Sequence, residues 1–316
     1  MDGLPQTLIP DSARFLAAPW QQHTLKTAID CVGVGVHTGR RVRLTFRPAD
    51  PNHGIVFHRS DLGRDIPARF DSVVDTRLST VLGDPADPQT RVGTVEHVMA
   101  ALSAMGIDNV VVEVDGLEAP ILDGSAAPFC FLLQCAGLRE QDVPRSAIEL
   151  RRVVRVEEGE AWAELRPLVA HDWPVLDLTV SIDFAAAAIG RQSASLRLSA
   201  DGFHTDIARA RTFALAADIA QLRAAGLAQG GSLDNALVVD GATVLNPGGL
   251  RMPQEFARHK LLDAVGDLAL AGAPLHAQFV AHRAGHALHN RLMRAVFADR
   301  AAWRRVAARP YAAAAA

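Results

Sequence analysis

Long apolar runs are missing from these 316 residues. No segment approaches the roughly 18 apolar residues that a bilayer crossing needs. Cysteine is scarce, and Cys31, Cys130 and Cys135 make no CxxC pair and no even framework, which fits a reducing compartment. No Lys/Arg run exceeds two residues and the net charge is −3, so no nucleic-acid surface is indicated. The opening residues lack a basic stretch followed by a long apolar core, so a cytoplasmic chain without a signal peptide is expected. The short zinc patterns are absent too: there is no HExxH, and the inverted HxxEH would need His where Gly93 stands.

What is present is an ordinary folded composition, 49% hydrophobic and 21% charged, long enough for about two domains. Residues 1–22 read as an extension before the fold. Strands are expected around the Gly-rich turn at 33–39 and in "GIVFHRS" and "ARFDSVVDTRLSTVL", with "GDPADPQTR" as a loop. "TVEHVMAALSAMG" reads as a helix with Thr94 as N-cap and Gly106 just past its end. A buried strand and a helix through "SAAPFCFLLQCAG" follow, and the polar segment 138–146 marks the domain boundary. The second half repeats the plan: strands, a helix, a strand and a last helix from about Gly285 to Ala298. The fold class expected is therefore α+β. Two similar domains, 23–140 and 141–305, are each expected to be a mostly antiparallel sheet layered with helices. An insert spans about 214–246, and 306–316 is a low-complexity tail.

One stretch, "RHKLLDAVGDLALAG" at 258–272, divides cleanly on a helical wheel. With about 100° per residue, Leu261, Leu262, Val265 and Leu268 share one face, while His259, Lys260, Asp263 and Asp267 gather on the other. A surface ion pair between His259 and Asp263 is the plain alternative, worth a few tenths of a kcal/mol. The sharper reading joins this helix to Glu96-His97. Catalytic zinc takes three protein ligands from His and carboxylate side chains and keeps a fourth position open. His97, His259 and Asp263 fit that set, with Glu96 beside it as a base. His282 and His289 read as ordinary histidines, as do His53, His58 and His204.

"GVGVHTGRRVRLTFRPA", "TVEHVMAALSAMGIDNVVVEVDGLEAPILDGSAAPF", "RARTF", "GGSLDNALVV", "RHKLLDAVGDL" and "GHALHN" occur in this order. They resemble the motifs of the bacterial UDP-3-O-acyl-N-acetylglucosamine deacetylases of lipid A biosynthesis in Gram-negative organisms, over about residues 23–305. The resemblance implies an active site between the two domains, and a metal, Zn²⁺ with Fe²⁺ as the alternative, held by His97, His259 and Asp263. It implies Glu96 as general base on the metal-bound water. His286 becomes the acid and oxyanion partner and Asp267 its orienting group, with Lys260 and Thr212 at the carbonyl. The implied substrate is an acylated UDP-glucosamine. Phe213 would stack on its sugar or base, Ile219, Leu222, Ala228 and Val238 would wall the acyl passage, and Arg283 and Lys260 lie nearest for the diphosphate. A monomer is expected, with any peripheral inner-membrane association coming through the substrate or a surface patch. Three departures stand out: Val81 where many members carry Cys, Ala214 where Gly is more usual, and His289 where Asn is commoner. The alternatives are a zinc amidohydrolase on another sugar nucleotide, or a non-catalytic nucleotide-sugar-binding relative.

Overall fold

The computed structural model describes residues 20–168 and 174–307. The expected extension 1–22 and tail 306–316 lie outside the described residues except at 20–22 and 306–307. The chain is α+β with mostly antiparallel sheets, as expected. Its helices are α1 (Glu96–Ala104), α2 (Ala127–Ala136), α3 (Ala200–Asp206), α4 (Ala216–Ala224), α5 (Glu255–Ala269) and α6 (His286–Ala298).

A five-stranded sheet in the first half runs in the spatial order Ile29–Val34, Arg41–Pro48, Val110–Val114, Ile55–Arg59, Arg64–Pro67. Its strands alternate, as in Arg41–Pro48, where Val42, Leu44 and Phe46 are buried and Arg41 and Arg43 are exposed. That alternation lays one face on the core and leaves the other to water. A seven-stranded sheet in the second half is built around Leu275–His282, which pairs with Ala161–Arg166, Leu176–Asp183 and Ser146–Leu150. Helices α5 and α6 lie against this sheet, while α1 packs on α2 and most extensively on α5. The two helical layers therefore face each other, and their contact is where the ionisable residues meet.

Several expectations need correction. The polar segment 138–146, expected to mark the domain boundary, contains a strand, Leu138–Pro144, paired antiparallel with Gln21–Leu25. The extension therefore ends earlier than residue 22. The expected loop "GDPADPQTR" contains the strand Asp87–Val92, which forms a hairpin with Val81–Asp84. Pro88 is accommodated because this short strand lies at the sheet's edge, where a missing N–H breaks no ladder bond. Thr94 does not cap α1. It adopts a left-handed φ of 56° and its hydroxyl donates to Glu118 Oε1 at 2.9 Å. Gly106, by contrast, follows α1 at φ 68°, as expected of a helix-ending glycine.

One glycine sets the distance between the helical layers. A Cβ on Gly266 of α5 would fall inside the van der Waals shell of the Glu96 carbonyl oxygen of α1. Alanine there gains about 1 kcal/mol of helix propensity. Overpacking typically costs about 1–3 kcal/mol, and a backbone wall yields less than a side chain does. Gly266→Ala should accordingly lower the melting temperature by about 2–4 °C per kcal/mol lost, measured by calorimetry. A higher melting temperature would show that the layers can separate freely.

Candidate metal centre and active site

Three donor atoms converge where α1 meets α5. His97 Nε2 lies 3.7 Å and His259 Nε2 3.3 Å from Asp263 Oδ1, and all three residues are buried. The ring centroids of the two histidines are 5.0 Å apart at 89°. His259 and Asp263 are one turn apart on α5, so helix pitch alone puts them side by side. Asp263 Oδ1 accepts no hydrogen bond among the described residues, although it is buried. A carboxylate oxygen left so is costly unless something other than a proton pairs with it. His259 Nδ1–H donates to the Ala210 carbonyl at 3.0 Å, which leaves Nε2 with its lone pair facing the other two donors. Burial pushes the His259 imidazole down to about 4, so it is a neutral ring at ordinary pH. Two imidazoles and one carboxylate fit a divalent cation such as zinc. The surface-ion-pair alternative fails because His259 is 1% and Asp263 2% exposed.

Around this trio stand the proton-handling groups. Glu96 is the first residue of α1, and its Oε2 accepts the Thr80 backbone N–H at 3.0 Å. Burial raises its carboxyl above the usual range. His286 opens α6, and its Nε2 lies 3.9 Å from Glu96 Oε1, too far for a direct hydrogen bond. Its Nδ1–H donates to Asp267 Oδ2 at 2.7 Å. Burial works to lower His286, but the charges of Asp267 and Glu96 outweigh it and raise it to about 9. For Asp267 burial works upward, yet His286 holds its carboxyl well below the usual carboxylate range. Lys260 Nζ donates to Asp263 Oδ2 at 2.9 Å and lies 5.5 Å over the Phe213 ring. Burial opposes the Lys260 charge, and Asp263 restores and exceeds it, so its pKa is raised.

The remaining expected residues divide. Phe213 packs edge-on against His259, Phe184 and Phe256. Thr212 donates its N–H to the Gly124 carbonyl and accepts from Leu237 N–H, so its backbone joins the two halves. Arg211 beside it is held by Glu255, which is fully buried and accepts from Arg211 Nε at 2.8 Å. Arg283 is bonded to Glu160 at 2.6 Å rather than to any member of the cluster. Ile219, Leu222, Ala228 and Val238 are half-buried, and α4 has no buried residue at all. The insert is fastened at its turn, where Gln229 and Gly230 donate to the carbonyls of His37 and Val36. Ala214 is accommodated in a regular parallel ladder opposite Val238, where no glycine freedom is required. Val81 follows Thr80 as the first residue of its strand and is half-buried.

Sequence reasoning missed two residues, and for a third, His289, it noted the closeness to His286 without assigning a role. Thr80 serves both carboxylates, giving its N–H to Glu96 and its hydroxyl to Asp267 Oδ1. No spacing rule connects it to partners 16 and 187 residues away. Glu118 accepts from the N–H groups of His37 and Thr38 and the hydroxyls of Thr38 and Thr94, binding the "HTG" turn to the lead into α1. His289, expected to be an ordinary helical histidine, is 1% exposed and bonded to Asp267 Oδ2 at 2.8 Å. Its position three residues after His286 was the available signal, because i and i+3 share a helix face.

A buried carboxylate–imidazole pair beside three donors that could hold a metal ion, with a second carboxylate across from it, is an arrangement suited to metal-assisted hydrolysis. A family model described as UDP-3-O-acyl N-acetylglycosamine deacetylase matches residues 22–298. A relative from Myxococcus xanthus named UDP-3-O-acyl-N-acetylglucosamine deacetylase is 49% identical over 292 residues, covering 92% of this chain and 90% of its own. Relatives of the same name come from Anaeromyxobacter sp., 50% identical over 280 residues (89% and 90%), and Haemophilus influenzae, 46% over 285 (90% and 92%). The chain belongs to the UDP-3-O-acyl-N-acetylglucosamine deacetylase family.

Replacing one donor tests the metal seat. His97→Ala should fold and lose bound metal, lowering affinity by about 100-fold or more, read by elemental analysis after dialysis. Full metal occupancy in that variant would move the seat elsewhere.

Proposed function

We propose that this chain hydrolyses the N-acetyl group of an acylated UDP-N-acetylglucosamine, releasing acetate and the free amine, in the committed step of lipid A biosynthesis. The observation that carries the reading is the unpaired Asp263 Oδ1 facing two imidazole nitrogens, with Glu96 and His286 beside it. His97, His259 and Asp263 would hold the metal, zinc being the first choice and Fe²⁺ the second, since imidazole and carboxylate suit both. When bound, a dication polarises the amide carbonyl and makes water acidic enough to attack near neutral pH.

Glu96, ionised, accepts the proton of the attacking water. His286, as an imidazolium, faces the developing oxyanion and then gives its Nε2 proton to the departing nitrogen as the C–N bond breaks. Asp267 holds the His286 Nδ1–H through this transfer. Lys260 and Thr212 border the carbonyl site, and Phe213 lines the substrate's path next to His259. The half-buried Ile219, Leu222, Ala228 and Val238 are carried forward as walls of the acyl passage, and Arg283 as a diphosphate contact once freed from Glu160. The site lies between a first domain at 23–140 and a second at 141–305. Among the described residues no helix is long and apolar enough to cross a membrane. A cytoplasmic monomer, reaching the inner membrane only through its substrate, completes the proposal.

Glu96→Ala and His286→Ala should each lower turnover by about 10²–10⁴-fold while metal stays bound. Retained turnover in a metal-replete His286→Ala would remove the acid assignment. Turnover should also be bell-shaped in pH. It requires Glu96 without its proton and His286 with one, so it falls as pH drops through the raised Glu96 value and again as pH climbs through that of His286. A bound dication pulls both values down, so the alkaline limb belongs at or below about 9. Acetate release from the acylated substrate should far exceed that from its non-acylated analogue. Equal rates would favour an amidohydrolase for another sugar nucleotide.

A further inference from the structure

Asp267 is asked to orient His286, yet a carboxylate bonded to a single imidazole remains free to turn about its own Cβ–Cγ bond. Here it is bonded from three sides. Thr80 Oγ1 donates to Oδ1, while His286 Nδ1 and His289 Nδ1 both donate to Oδ2, at 2.7 and 2.8 Å. The three partners come from two distant parts of the chain: the residue before Val81–Asp84, and the first and fourth residues of α6. We propose that His289 is a positioning residue for the reaction: its Nδ1–H fixes the Asp267 carboxylate, which in turn fixes His286. This deepens the reading of His286 as the proton donor and rests on it.

The surroundings of His289 define its protonation. The ring is 1% exposed and packs edge-on against Phe279, with centroids 5.6 Å apart. Its Nε2 is buried and has no hydrogen-bond partner among the described residues. Only an Nδ1 that carries a proton can donate to a carboxylate, and a second proton on Nε2 would bury an unpaired N–H. The Nδ1 proton is therefore committed to Asp267, and the other ring nitrogen makes no hydrogen bond of its own among the described residues. Asp267, His286 and His289 lie close enough together to resemble a ligand group. Both Nδ1 atoms, however, are spent on hydrogen bonds to the carboxylate, so no set of lone pairs converges there. The charged groups acting on His286 are Asp267 and Asp263 from α5 and Glu96 from α1.

Asparagine and leucine separate the hydrogen bond from the packing. Asn Nδ2 stands the same number of bonds from the backbone as His Nδ1 and keeps an N–H donor, whereas the leucine methyl at that place has none. His289→Leu should lower kcat by about tenfold, the size of a lost hydrogen bond to a charged group, with KM unchanged. His289→Asn should recover most of that loss. The low-field Nδ1–H proton signal of His286 should persist in wild type and His289→Asn and broaden away in His289→Leu. In wild type, ¹⁵N spectra should show a proton on His289 Nδ1 held in a hydrogen bond. A His289→Leu enzyme with wild-type kcat and an intact His286 signal would overturn the proposal. So would a His289→Asn enzyme as poor as His289→Leu, since the ring and not its donor would then matter. Should His289→Leu fail to fold, the asparagine variant and the wild-type ¹⁵N spectra still decide. A wild type that releases no acetate would sink the deacetylase reading alone, because the spectra test the clamp without turnover.

Discussion

Two carboxylates one helical turn apart on α5, both withdrawn from water, govern the arrangement of everything around them. An ionised side chain in such surroundings is tolerated only when opposite charge and hydrogen-bond donors replace its hydration. Asp263 and Asp267 meet that demand in different ways. Asp263 binds Lys260 through one oxygen and turns the other, unpaired, toward two imidazole nitrogens. Asp267 is satisfied by hydroxyl and imidazole donors alone. The same helix thus presents one carboxylate suited to a cation and another suited to holding a proton donor. The close approach of α1 at Gly266 brings Glu96 into both neighbourhoods.

The amphipathic split of α5 was legible from the wheel, and the periodic helices α1, α2 and α6 were legible from capping and spacing. His259 and Asp263 declared themselves by an i, i+4 interval, and His97 was a candidate third donor that the resemblance to a family then singled out. What the sequence concealed was non-local. Thr94 looks like an N-cap, but it stands one residue too early, in a left-handed conformation with its hydroxyl donating to the Glu118 carboxylate, and Val95 takes the cap position. The segment at 138–146 looks like a domain boundary because it is polar, whereas its N–H and C=O groups pair with Gln21–Leu25. Thr80 carries no pattern at all. Its importance arises from the strand that sets it between two helices.

The halves of the chain are also fastened away from the chemistry. Thr212 and Leu237 form a relay of backbone hydrogen bonds from the Gly124 turn into the insert, and Gln229 and Gly230 latch the insert onto the "HTG" turn. Gly230 has no room for a Cβ because the Gly35 carbonyl oxygen already occupies the place. Glu118 gathers that same turn from the other side. The insert is thereby aligned with the lead into α1 by main-chain contacts that tolerate side-chain variation.

Helix α4 stands apart in this arrangement, having no buried residue and leaning mainly on the strands Phe213–Leu215 and Leu237–Asp240. Little apolar surface would return to water if it came away, so the free energy of detaching it is small beside that of unfolding the whole chain. The metal-side residues are locked into a dense core, while this helix behaves as a separately melting unit at the periphery. Such a division leaves the spacing of Asp263, Asp267 and His286 insulated from any local opening at the edge of the molecule.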